Sequence, residues 1–123
     1  MISKINSYKD LTVWQKSYKL TLNVYKLTKK FPKEELYALT SQIRRCVVSI
    51  PSNIAEGFTR YKKLEYIQFL RISFGSGAEL ETQLSIAKDL GYISETEFKE
   101  VNDLLQEVMK MLNSLISKLK SSA

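Results

Sequence analysis

The amino-acid sequence predicts an all-α protein, and within that class an up-down-up-down antiparallel four-helix bundle. Apolar residues recur every three or four positions through four long stretches, which is the spacing of one helix face. The 123 residues include only four glycines and two prolines, too few for the many tight turns of a sandwich or barrel. Short connections separate the stretches, so consecutive helices are expected to run antiparallel. One domain is predicted over residues 1–123, with helices at 11–30, 34–56, 62–90 and 95–119.

The first helix, residues 11–30, is expected to start at Asp10 as its N-cap and to end before Pro32. Beside its apolar stripe runs a second stripe of side chains with apolar bodies and mostly polar tips, which consists of Trp14, Tyr18, Thr21 and Tyr25. Such side chains suit a packed boundary or an interface.

The second helix, residues 34–56, contains Pro51, which removes one backbone donor and crowds the preceding turn. The helix either kinks there or splits in two. Its apolar stripe keeps the same phase on both sides of Pro51, which favours a kink. Gly57 is expected to end the helix in a left-handed conformation.

The third helix, residues 62–90, ends at Gly91 and has an unusually wide apolar face. An amphipathic surface helix needs an apolar stripe of only about 100°. The wider face predicts that a second subunit covers part of this helix, and hence an oligomer.

The fourth helix, residues 95–119, has the clearest start. Ser94 and Glu97 have the spacing of a capping box, and Ile93 with Phe98 that of a hydrophobic staple. Leucine and valine then alternate at three- and four-residue spacing, as antiparallel bundle packing requires.

The composition excludes several classes of function. The chain has no histidine and one cysteine, which removes imidazole bases, Cys-His pairs, internal disulfides and multi-thiolate metal sites. We expect no enzyme activity, no metal and no cofactor. The opening MISKINSYKD has no apolar core of a secretory signal, and no run is apolar enough to cross a membrane, so we expect a cytoplasmic protein without membrane contact.

The charge is uneven along the chain. The formal net charge is +6, made up of +9 over residues 1–71 and −3 over residues 72–123. A basic half indicates an anionic partner, with nucleic acid as the first candidate. The candidate phosphate contacts are Lys16, Lys19, Arg44, Arg45, Arg60, Lys62 and Lys63.

These cations fall in three settings. Lys16 and Lys19 begin a lysine stripe on the first helix, which contains no acid of its own. Arg44 and Arg45 point about 100° apart on their helix, so one faces solvent while the other folds toward a neighbour. The loop at 60–63 interleaves Tyr61 with three cations, a composition that suits single-stranded nucleic acid. The alternatives are a solvated lysine face and an ordinary polar turn.

Glu81 falls within the apolar stripe of the third helix, where an unpaired carboxylate is costly. It is therefore predicted to form a structural ion pair or an oligomer contact, with Arg71, Arg44 or Arg45 as its partner.

Stretches spread over nearly the whole chain resemble the bacterial four-helix-bundle proteins encoded in intervening sequences of 23S rRNA genes. The most specific stretch is Ser49-Ile50-Pro51-x-Asn53-Ile54-Ala55-Glu56-Gly57. The others are Asp10-Leu11-x-Val13-Trp14, Leu39-Thr40-x-Gln42-x-Arg44-Arg45, Phe69-Leu70-x-Ile72 and Ala78-Glu79-Leu80-Glu81-Thr82-Gln83. The chain is also similar to accessory variability proteins of diversity-generating retroelements.

The resemblance implies a homopentameric barrel with a basic surface and no enzyme activity. In the retroelement branch it implies binding to nucleic acid and to a reverse transcriptase. Two hypotheses follow: a non-catalytic, oligomeric protein that binds RNA or DNA, and an adaptor that docks a polymerase or reverse transcriptase through the aromatic stripe of the first helix or an exposed part of the third.

Overall fold

The structure, a computed structural model, describes residues 5–122, and four helices account for most of them. The helices are α1 (Thr12–Thr28), α2 (Leu39–Phe58), α3 (Lys63–Asp89) and α4 (Glu95–Ser121). Short 3-10 turns at Tyr8–Asp10 and Lys33–Glu35 precede α1 and α2, and no strand occurs between residues 5 and 122. Each helix packs against the next, and α1 also packs against α4. The predicted all-α four-helix bundle is thereby confirmed.

The core forms where the apolar stripes of the four helices meet. Leu20, Ile50, Leu80 and Leu112, one from each helix, are fully buried. Burial of one such side chain stabilises the fold by about 1.5–3 kcal/mol, so the stripes set the rotation of each helix about its axis.

The wide apolar face of α3 is covered mostly within the chain, which removes the reason given above for a second subunit. The helix packs against both α2 and α4, and this buries Leu80, Leu84 and Ala87 completely. Ala78, whose spacing in the sequence predicts a place on this apolar face, is exposed instead. The apolar face is wide because two neighbouring helices use it.

The start predicted for α2 is wrong by five residues, since the helix begins at Leu39 and not at residue 34. A tertiary contact stabilises the turn before it. The side chain of Glu35 accepts a hydrogen bond from the Leu39 N–H at 3.4 Å and another from the Tyr92 hydroxyl at 2.7 Å. The second bond also raises the pKa of Tyr92. Sequence periodicity cannot detect a contact across 57 residues of chain.

The end predicted for α2 is also wrong. The helix ends at Phe58, two residues beyond the predicted end. Its continuation through Pro51 agrees with the favoured alternative that the helix does not split there, and the kink stays a prediction. Gly57 is helical, and among the described residues only Gly91 has a positive φ, of 82°. Gly57 is small for another reason: a Cβ placed there would lie 2.7 Å from the Cβ of Phe69 on α3.

The start of α4 agrees with the sequence. The Ser94 hydroxyl accepts from the Glu97 N–H at 3.1 Å, and the Glu97 carboxylate accepts from the Ser94 N–H at 2.9 Å. Both bonds of the capping box are present, which anchors the beginning of the helix that closes the bundle.

Candidate nucleic-acid interface

The seven predicted phosphate contacts do not form one patch on a single chain. Arg44 and Arg45 lie near the beginning of α2, whereas Arg60, Lys62 and Lys63 follow its end. At about 1.5 Å per helical residue, roughly 20 Å of α2 separates the two groups. Lys16 and Lys19 lie on α1. The sequence predicts which side chains could contact phosphate. The arrangement of the helices places those side chains on different parts of the surface.

The lysine stripe of α1 is partly neutralised by acids from α4. The Lys16 Nζ lies 3.0 Å from Glu107 Oε2, and Lys30 forms an ion pair with Glu97. The hydrogen bond from Lys30 and those from Ser94 hold the pKa of Glu97 below its ordinary value. Two lysines of this stripe therefore form ion pairs, although the first helix itself contains no acid. Lys19 is exposed and forms no ion pair with any residue from 5 to 122.

Two of the three cations in the loop at 60–63 form contacts with other residues of the chain. The Arg60 guanidinium donates to Glu56 Oε2 at 2.7 Å and lies 4.7 Å from the centre of the Phe69 ring. Lys63 Nζ donates to the Ser122 carbonyl oxygen. Lys62 and Tyr61 remain exposed. The loop thus offers a phosphate less positive charge than its composition indicates.

Arg44 and Arg45 divide their roles as their angular separation predicts. Arg44 is half-buried, donates through Nε to Thr28 Oγ1 at 2.9 Å, and lies over the Tyr25 ring at 4.9 Å. Arg45 is exposed. Arg44 is therefore fixed in place, and Arg45 extends into solvent beside it.

A groove of about 410 Å³ contains both arginines, and we call it the arginine–tyrosine groove. Its lining residues are Tyr25, Leu36, Tyr37, Thr40, Ser41, Arg44 and Arg45. Among residues 5–122, no acid lines this groove, in contrast to the groove between α1 and α4, where Lys26 and Lys30 lie beside Glu97 and Glu100. The arginine–tyrosine groove therefore combines positive charge, aromatic surface and hydroxyl groups without a competing carboxylate.

Tyr37 is a residue of this site that the sequence alone did not predict. Tyr37 is 93% exposed and stands in the turn before α2, which sequence periodicity had assigned to the helix itself. One signal was available: Tyr37 precedes Ser41 by four residues and Arg44 by seven, the spacing of one helix face.

The ion pair predicted for Glu81 is not formed within the described chain. Glu81 is half-buried at the seam between α3 and α4, where it accepts from Gln106 Nε2 at 2.9 Å. Arg71 is exposed, and Arg44 is engaged with Thr28 and Tyr25. A neutral amide is sufficient here because Glu81 keeps some contact with solvent. A contact between Arg71 or Glu81 and a second subunit stays a prediction.

Cys46 is a buried thiol with a polar neighbourhood between α2 and α3. Its Sγ lies 3.0 Å from the Ser76 carbonyl oxygen, and the Ser49 and Ser76 hydroxyls lie 2.7 Å apart. Burial, with a smaller contribution from Glu79, raises the pKa of Cys46 to about 12. The thiol therefore stays protonated at neutral pH and is a poor nucleophile.

Two further findings concern the described residues alone. Between residues 5 and 122 no group of three or more Cys, Asp or Glu side chains is placed to hold a metal ion. Within the same range, no helix combines the length and the hydropathy needed to cross a membrane.

Comparison with known proteins finds a family and a solved structure that this chain resembles. Residues 9–114 match the sequence profile of the family described as 23S rRNA-intervening sequence protein. A crystal structure at 1.70 Å of a protein of unknown function from the S23 ribosomal protein family of Bacteroides thetaiotaomicron is similar, with a TM-score of 0.80 and 26% identity. That similarity covers 85% of this chain and 95% of the other. No curated protein matches the chain.

Proposed function

The chain belongs to the family of 23S rRNA-intervening sequence proteins, and from that premise we propose that it is a non-catalytic, oligomeric protein that binds RNA or DNA in the cytoplasm. The observation that carries the proposal is the arginine–tyrosine groove, where two arginines lie together and none of the lining residues that the structure describes is an acid. Exposed Lys19 and Lys62 extend the positive surface beyond it. Binding of this kind comes mainly from phosphate neutralisation and is weakly specific for sequence.

Salt dependence tests the proposal directly. Each phosphate contact contributes roughly 0.7 to the slope of log affinity against log salt concentration on single strands, and roughly 0.9 on duplex DNA. Arg45→Gln is expected to weaken binding and to reduce the slope by about one contact. Lys110→Gln on α4 changes the net charge equally and lies outside the candidate contacts, so its slope should stay at the wild-type value. A flat salt response, or no binding near physiological salt, contradicts the proposal.

Self-association is part of the proposal, and the homopentamer is the assembly that the family resemblance implies. Support comes from an apolar strip along α1 and α2, which we call the α1–α2 strip. It is formed by Trp14, Tyr18, Leu22, Val48 and Pro51. Tyr18 and Leu22 are 50% and 57% exposed. Copies of the groove around a ring would multiply weak phosphate contacts through their effective concentration.

The second candidate function is an adaptor that docks a polymerase or reverse transcriptase. The same α1–α2 strip supports it, because exposed apolar surface rimmed by polar residues is typical of protein–protein contacts. A pull-down of the purified candidate polymerase that survives nuclease treatment favours the adaptor. Loss of the complex on nuclease treatment favours nucleic-acid binding. The similarity to retroelement accessory proteins stays a prediction.

A further inference from the structure

We propose that the arginine–tyrosine groove holds one unpaired nucleotide of a bound strand, with its base against the ring of Tyr37 and its phosphate at Arg45. The inference rests on the nucleic-acid binding proposed above and deepens it, because it names the class of nucleic acid. A tyrosine ring stacks on the face of a base, and a duplex buries those faces between neighbouring base pairs. The preferred ligand is therefore a single strand, a loop or an unpaired end.

Tyr37 is presented for stacking on a fixed turn. The residue is 93% exposed, so a base can approach its ring without moving another part of the protein. The turn is held by Glu35, whose backbone carbonyl accepts from the Ala38 N–H at 3.0 Å and whose side chain accepts from Leu39 and Tyr92. The backbone of this turn is ordered before a ligand arrives, so binding at Tyr37 costs little backbone entropy.

Arg44 gives the groove a second planar surface. Its position is set before any ligand arrives, by the bond to Thr28 Oγ1 and by the Tyr25 ring beneath the guanidinium. A base stacks on a guanidinium plane as well as on an aromatic ring. Tyr37 and Arg44 therefore line one groove with two groups that favour the flat face of a base.

Arg45 and the start of α2 favour the phosphate. Arg45 is exposed and makes no ion pair among the residues described, and the N-terminal end of a helix carries partial positive charge. Thr40 lines the groove and is only 3% exposed, yet its hydroxyl has no hydrogen-bond partner between residues 5 and 122. An unsatisfied buried hydroxyl costs free energy. A ligand acceptor would recover that cost only after the side chain rotates, because the Oγ1 atom exposes less than 1 Å² in the free protein. Glu35 lies at this end but outside the groove lining, with both carboxylate oxygens engaged.

Tyr61 is the rival for the same role. It is fully exposed beside Lys62, but Arg60 and Lys63 are engaged within the chain. The groove lined by Leu64, Glu65, Gln68 and Phe69, which follows this loop, contains an acid and no cation. The two exposed tyrosines therefore form a matched pair for an experiment.

The test measures affinity by fluorescence anisotropy for two labelled RNAs of the same length, an unstructured single strand and a blunt duplex. The full chain is compared with Tyr37→Ala, Tyr37→Trp and Tyr61→Ala. Loss of one stacked base at Tyr37→Ala should weaken single-strand binding by roughly 5- to 150-fold. Duplex binding should change by less than about two-fold, because phosphates dominate it. Tyr37→Trp should retain the single-strand affinity, and Tyr61→Ala should leave both affinities unchanged.

The possible results distinguish failure of this inference from failure of the proposed nucleic-acid binding. Absence of binding to both RNAs, and to a DNA single strand and duplex of the same length, overturns the proposed function and this inference together. Binding to both RNAs that is unchanged by Tyr37→Ala, or reduced only by Tyr61→Ala, overturns this inference and leaves the proposed function standing. Equal losses on single strand and duplex at Tyr37→Ala also overturn it, since stacking requires an open base face. Because Tyr37 is exposed, its variants should melt at the wild-type temperature, which excludes loss of fold as the cause.

Discussion

The hydroxyl of Thr21 on α1 lies 3.3 Å from the carbonyl oxygen of Val47 on α2. In a regular helix that carbonyl would accept from the amide of residue 51, which here is proline and has no N–H. The Thr21 hydroxyl is shared, since the Ser17 carbonyl oxygen lies 2.9 Å away. A neighbouring helix thus supplies a donor where α2 lacks one, and α2 continues through its proline.

Replacing Thr21 with valine keeps the shape of the side chain and removes the donor. The free energy of unfolding should fall by about 1 kcal/mol, the usual net value of one such bond. Alanine at position 51 would restore the amide, so Thr21→Val should cost less in a Pro51→Ala background. Urea unfolding of the four proteins of this double-mutant cycle measures the difference.

Thr82→Val is the matched control, because its exposed hydroxyl bonds only a carbonyl of its own helix at 3.0 Å. Equal costs of Thr21→Val in both backgrounds would contradict the compensation.

Gly57 sets the distance between α2 and α3. A methyl group at this position would lie 2.7 Å from Phe69 Cβ and 3.1 Å from Tyr66 Cδ1, so the helices must separate to accept it. We expect Gly57→Ala to lower the free energy of unfolding by about 1–3 kcal/mol, as overpacking does.

Gly75 gives the control for that substitution. It is exposed on α3, and a Cβ there would meet no atom within 4 Å. Gly75→Ala should stabilise the protein by about 0.5–1 kcal/mol, because alanine loses less backbone entropy in a helix than glycine does. Thermal unfolding compares the two variants. Stabilisation by both would mean that α2 and α3 do not pack as closely as described.

These contacts explain why the sequence predicted helices better than their ends. The three- and four-residue spacing of Ile43, Val47, Ile50 and Ile54 reports burial directly, and all four are fully buried. The start of α2, by contrast, depends on Glu35 meeting Tyr92, a contact between distant parts of the chain. The sequence predicts that Gly57 ends α2 because glycine commonly ends helices, whereas its actual role is to permit a close approach to Phe69.

The sequence predicted which types of residue form the candidate site, but not which partners those residues contact. The sequence identified Arg44 and Arg45, and their helical positions predicted that they would point apart. It did not show that Lys16 meets Glu107 or that Arg60 meets Glu56 and Phe69, since the choice of partner depends on packing. The sequence also did not predict that Tyr37 lies in the same groove as the two arginines, because Tyr37 is in a turn whose shape is set by tertiary contacts.

Glu97 should make stability depend on pH in the acid range. Its pKa is lowered in the folded protein, chiefly by the hydrogen bond from Lys30 and then by Ser94. A carboxylate with a lowered folded pKa stabilises the fold above its unfolded pKa, and this contribution is lost as pH falls through the folded value. Glu97→Gln should therefore lower the urea midpoint near neutral pH, and the gap from wild type should close as the solution is acidified below the ordinary carboxyl pKa.

The exposed pair Lys99–Asp103 provides the comparison for Glu97. Its atoms lie 2.8 Å apart, but the two side chains are 76% and 65% exposed, so solvent and salt screen the attraction. Asp103→Asn should therefore shift the midpoint less than Glu97→Gln at neutral pH. A gap for Glu97→Gln that stays constant from neutral to acid pH would show that its carboxylate charge does not stabilise the fold.

The last prediction concerns the α1–α2 strip as the surface of self-association. Leu22 is 57% exposed on the same strip as Tyr18 and Val48, and a carboxylate there would lose its water if a second apolar strip covered it. Leu22→Glu should therefore dissociate the oligomer, as measured by light scattering at micromolar concentration, with helix content unchanged because the side chain lies outside the core. Ile72→Glu tests the competing face, since Ile72 is 47% exposed on α3. Dissociation by Ile72→Glu alone would move the interface to α3, and a monomeric wild type would contradict self-association at either face.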